Sequence, residues 1–244
     1  MRLLKGLALA VVCAAQAQTL KIPPVKASLN IEGQPVEITA WGTVSPAASG
    51  ALRLAVTADL GNFQENLTPV MAAQLNRSDR CGERLSVERA VLAPVAPAAI
   101  LTANVHYERF ACAKAFGKEI VKRLVGGNGV VEVNLTPSVA DNRIVLAAQV
   151  RKVDADGSLG DLLRSGSLGD SIRQKIAASI ESAIQKAANL KSALPAGIES
   201  AAAIQTVAFA DGGAGRIWLT MEGELRLSAE QFRALSKELN QTAR

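Results

Sequence analysis

Residues 168–188 read LGDSIRQKIAASIESAIQKAA, and this stretch decides the expected fold. Leu168, Ile172, Ile176, Ile180 and Ile184 recur every four residues, with Ala188 continuing the row. On a helix of 3.6 residues per turn such a row drifts by about 40° per step, so it winds nearly half-way round. A helix of this kind must curl around its partner or cross a twisted sheet. Ser167 and Asp170 have the spacing of a capping box, and Pro195 and Gly197 end the pattern.

Upstream the period changes to two. Val36 to Trp41 and Leu52 to Ala58 alternate as short strands. Phe63, Leu67, Val70, Met71 and Leu75 return to helical spacing, with Pro69 marking a start or a kink. Leu85 to Val91 and Leu101 to Tyr107 then read as a hairpin turned at Pro94 to Pro97. In its second strand Leu101, Ala103, Val105 and Tyr107 face the core, opposite Thr102, Asn104, His106 and Glu108. Phe116, Ile120, Val121 and Leu124 suggest a short amphipathic helix stopped by Gly126-Gly127. Val131 to Leu135 and Ile144 to Val150 are strands again, the latter apolar enough to be covered on both faces. After the long helix, Ile204 to Phe209 and Arg216 to Leu227 form a hairpin about a glycine turn. A last helix carries Phe232, Leu235 and Leu239. The expected class is therefore α+β: a curved antiparallel sheet packed against a long helix in the C-terminal half.

The chain opens Met1-Arg2-Leu3-Leu4-Lys5, runs apolar from Gly6 to Ala15, and offers Ala15-Gln16-Ala17 for cleavage. This is the pattern of an export signal, too short to span a bilayer. Acylation of Cys13 is the rival reading, with a poor lead-in at Ala10-Val11-Val12. The expected organisation is a signal peptide at 1–17, an extended leader at 18–35 and a single domain at 36–244. A periplasmic or secreted location follows. Loss of Arg2 and Lys5 with the signal lowers the net charge from +5 to +3, and aromatics make up 3% of the chain. Neither favours nucleic acid, whose single strands need stacking platforms. Cys81 and Cys112 remain as an even pair in an oxidising compartment, too far apart in sequence for a zinc or C-x-x-C motif, and are expected to form a disulfide.

Chemistry is thin. His106 is the single histidine, on the polar phase of a strand, where a surface role outweighs a general base. Asp154-Ala155-Asp156-Gly157 lacks the later acidic ligands of a calcium loop. Gly126-Gly127-Asn128-Gly129 leads into a strand, whereas a phosphate cradle opens a helix. No catalytic residue, metal site or cofactor is expected.

The order of elements resembles the tubular lipid-binding (TULIP-like) superfamily: alternating strands, a winding aliphatic helix from Leu168 to Leu194, then a hairpin ending in Trp218 to Leu225. The resemblance covers residues 80–227 and implies a curved sheet around a long helix, with a lipid-carrying groove between them. The best-known members have two such modules and this chain has room for one, so lipid binding is implied more than long-range shuttling. The leading expectation is an exported, non-enzymatic binding protein with Ile172, Ile176, Ile180 and Ile184 facing an apolar ligand. The alternative is a structural or interaction protein of the envelope, with a solid core, an exposed apolar patch and a protein partner.

Overall fold

The computed structural model describes residues 19–31, 33–47, 51–78, 80–115, 118–164 and 202–226, with the isolated positions Asp170 and Gln174. Ten strands and three short helices are described in this chain: β1 Leu20–Ile31, β2 Gln34–Pro46, β3 Leu52–Asp59, α1 Gly61–Glu65, α2 Leu67–Leu75, β4 Arg77–Ser78, β5 Gly82–Val95, β6 Ala98–Ala115, β7 Lys118–Ala140, β8 Arg143–Ala155, α3 Gly157–Arg164, β9 Ala202–Asp211 and β10 Ile217–Leu225. They build two antiparallel five-stranded sheets, ordered β1-β2-β3-β10-β9 and β4-β5-β6-β7-β8.

This corrects the expected fold class. Among the described residues no long helix packs on a sheet, and the chain is predominantly β. The apolar face of each sheet is covered instead by the other. One core joins Val36, Ile38, Phe209, Ile217 and Leu219 of the first sheet to Leu92, Leu101, Val131 and Val133 of the second. The alternation of β6 holds as read: Leu101, Ala103, Val105 and Tyr107 are buried. Leu101 lies opposite Val133 and Ala103 opposite Val131, so apolar residues stack strand to strand.

Three further readings change. The stretch expected as a leader supplies β1, an edge strand whose pairing shifts at Pro23-Pro24, between Ile22 and Val25. Proline has no N–H for a ladder, so an irregular edge is where it fits. Residues 118–124, expected as a helix, are the first third of β7. β8 is the last strand of its sheet, with Leu146 buried and Ala147 exposed, so its apolar run is not covered on both faces. The helical reading near Pro69 stands, as two pieces meeting at Asn66. Pro69 occupies the first turn of α2, where backbone N–H groups lack helical partners anyway.

The two helices also close an edge. An unpaired strand edge invites other chains, and proteins commonly cover it. Beyond β4, the free side of β5 is met by side chains: Asn76 Oδ1 accepts from Val87 N at 2.8 Å, Thr68 Oγ1 accepts from Ala90 N at 3.0 Å, and Gln64 Nε2 donates to Leu92 O at 2.8 Å. Strand β9 is tied down similarly by turns of the second sheet. Its Phe209 N donates to Pro97 O at 2.9 Å, and Ile204 N to Asn142 Oδ1 at 2.7 Å. Among the described residues no helix is long and apolar enough to cross a membrane.

Candidate interaction surface

Strands β6 and β7 outrun their neighbours. Pairing between β5 and β6 stops at Gly82 and Phe110, and pairing between β7 and β8 begins at Gly129 and Ala155. From Ala111 to Ala115 and from Lys118 to Lys122 the two strands pair only with each other, as an antiparallel arm that springs from the Phe110–Arg123 pair.

One face of the arm is braced. Cys112 is joined to Cys81, with Cα atoms 5.6 Å apart. Arg80 Nη2 lies 3.4 Å from Glu119 Oε2, and the Arg84 guanidinium sits 4.2 Å from the centre of the Phe110 ring. An arm of two strands is marginal in water by itself, so this cross-link and the packing beside it hold its register. At its base Arg123 Nη1 donates to Glu108 Oε1 at 3.0 Å, which holds the Glu108 carboxyl below its usual range. His106 Nδ1 is 2.6 Å from Asn128 Oδ1, and Nε2 is 3.8 Å from the Glu108 carboxylate.

The other face is open. Ala113 lies opposite Ile120 and Ala111 opposite Lys122, and all four are exposed. Ile120 is 54% exposed and Leu124, the extra residue at the bulge facing Arg109 and Phe110, is 57% exposed. From Arg109 to Val125 the sequence carries five cations (Arg109, Lys114, Lys118, Lys122 and Arg123) and one carboxylate, Glu119. That net +4 is most of the whole chain's +5. Lys114, Lys118 and Lys122 pair with no carboxylate among the described residues.

Of the residues singled out from sequence, Cys81 and Cys112 are brought together as a disulfide. Ile172, Ile176, Ile180 and Ile184 lie outside the described residues, as do residues 1–17 and the Phe232 helix. His106 is on the outer face of β6, within a polar cluster of Asn128, Glu108 and Arg123. Cys81, Cys112 and Glu119 bring ligand-type atoms within 4.8 Å of one another, but the sulfurs are bonded to each other and are not thiolates. Asp154 pairs with Lys152 at 3.2 Å, at the end of β8.

Sequence reading missed the arm because Phe116, Ile120, Val121 and Leu124 fit a helical period. The signal that pointed to it was charge: five cations and one carboxylate in seventeen residues. The glycines of 126–129 lie inside β7, where they let other backbone come close. A Cβ on Gly127 would stand 2.9 Å from Asp156 O, and one on Gly129 3.1 Å from Asp154 O. No family model, curated protein or solved structure matches the chain.

Proposed function

We propose that this chain is an exported, non-enzymatic recognition protein of the cell envelope, and that the β6–β7 arm is its contact surface. The observation that carries the reading is the pair Ile120 and Leu124, each more than half exposed on a strongly cationic two-stranded arm. Large apolar side chains held out in water beside unpaired lysines are suited to contact with another surface. The export pattern of residues 1–17 and the Cys81–Cys112 disulfide both favour an oxidising compartment outside the cytoplasm. Carriage of an apolar ligand by Ile172, Ile176, Ile180 and Ile184 is supported by the aliphatic row alone and ranks second.

The test is fractionation of native cells carrying wild type or the double variant Ile120→Ser/Leu124→Ser, with folding checked by circular dichroism. Wild type is expected with the envelope fraction and the variant in the soluble fraction. Equal partition of the two proteins overturns the assignment of the arm.

A further inference from the structure

Building on that reading of the arm, we infer that its occupant is the surface of an anionic phospholipid bilayer, with Ile120 entering the headgroup boundary between Lys118 and Lys122. The geometry suits a plane better than a pocket. Along the open face Lys118, Ile120 and Lys122 follow one another at strand spacing, opposite the small side chains of Ala111 and Ala113. Among the described residues nothing bulky opposite them props the ribbon away from a flat surface. Lysines flanking an apolar residue can lay their stems along the acyl boundary while their ammonium groups reach the phosphates. The reverse face carries the disulfide, the Arg80–Glu119 pair and Phe110 beneath Arg84, so approach is one-sided.

Three alternatives explain less. Lysines often guard a strand edge against aggregation, but guarding gives no reason to expose Ile120 and Leu124 beside them. Protein interfaces are depleted in lysine and anchored by aromatic or arginine side chains, whereas this face offers alanine, isoleucine and lysine. Nucleic acid would gain the charge but little stacking, since Phe110 is the arm's one described aromatic and Arg84 already covers it.

The experiment is sedimentation of the purified, oxidised chain with vesicles of phosphatidylglycerol and phosphatidylcholine, and with phosphatidylcholine alone. Binding is expected to the first and not the second, and to weaken as salt screens the charges. Lys118→Gln and Lys122→Gln should each weaken it about fivefold, the effect of one charge near an anionic surface. Ile120→Ser should weaken it further, while Lys21→Gln, on the exposed side of β1, should leave it unchanged. These are surface positions, and circular dichroism with a non-reducing gel verifies that each variant folds and keeps its disulfide. Absence of binding to the anionic vesicles, or binding indifferent to all three arm variants, overturns the lipid assignment. If vesicles fail while Ile120→Ser/Leu124→Ser still leaves the envelope fraction in cells, the arm remains the contact surface and its partner is an acidic protein. If both fail, the arm assignment falls too.

Discussion

Gln64, near the end of α1, donates from Nε2 to Leu92 O of β5 at 2.8 Å. The same amide donates to Gly215 O at 3.0 Å and accepts from Ile217 N at 2.8 Å. One side chain thus satisfies the edge of one sheet and the first residue of β10 in the other. Gln64→Leu should cost about 1–2 kcal/mol, because the partner groups lose their bonds in a partly buried place. Gln64→Glu should do no better, since a carboxylate would face the carbonyls of Leu92 and Gly215. Urea unfolding measures both.

Reduction, or Cys81→Ser with Cys112→Ser, releases a loop closed over a separation of 31 residues. Chain-entropy arguments put the loss at about 3–4 kcal/mol. Hydrogen exchange should quicken first in residues 110–124, whose second face is held by the disulfide. Uniform quickening across both sheets would show that the bond stabilises the whole fold without bracing the arm.

At Gly127 a side chain has nowhere to go, because Asp156 O and Leu159 Cβ stand 2.9 and 3.4 Å from where a Cβ would be. Gly127→Val is expected to destabilise by about 1–3 kcal/mol through overpacking against α3. Had this glycine been a turn residue after a helix, valine would have acted through backbone strain. Calorimetry gives the cost, and exchange rates in α3 locate it.

Burial pushes the Tyr107 phenol up to about 12 from the ordinary 10.0, with Glu83 acting in the same direction and Arg109 against it. The folded state keeps its proton to higher pH than the unfolded chain does. Its contribution to stability is therefore complete below pH 10 and is lost as pH rises from 10 toward 12. Between about pH 8 and about pH 11 the urea midpoint of wild type should fall more than that of Tyr107→Phe. Parallel declines would mean that the phenol is solvated.

Strands with one wet face were legible in the sequence. Leu101 to Tyr107 alternate because Val131, Val133 and the opposite sheet bury every second residue, and that periodicity is written in composition. The hairpin about Asp211 to Gly215 was equally plain, since Gly213, Ala214 and Gly215 adopt positive φ and glycine does so readily. What escaped was structure without a two-residue period. β1 carries a proline pair at its register shift, and β7 carries glycines demanded by β8 and α3 rather than by its own backbone. Spacing in the arm imitated a helix, and only cross-strand pairing with Phe110 to Ala115 makes it a strand. The disulfide was legible by cysteine arithmetic, whereas the exposed face of Ile120 depends on where β5 and β8 stop.

Recognition through the arm is tested most directly by an environment-sensitive fluorescent amino acid at position 120, with a second protein carrying it at 147. Ala147 is exposed on β8, well along the sheet from the arm. On addition of native envelope membranes, emission from position 120 should shift to the blue while that from position 147 stays as in buffer. Unchanged emission at 120, or equal shifts at both positions, would contradict the assignment of the arm as the surface through which this protein makes contact.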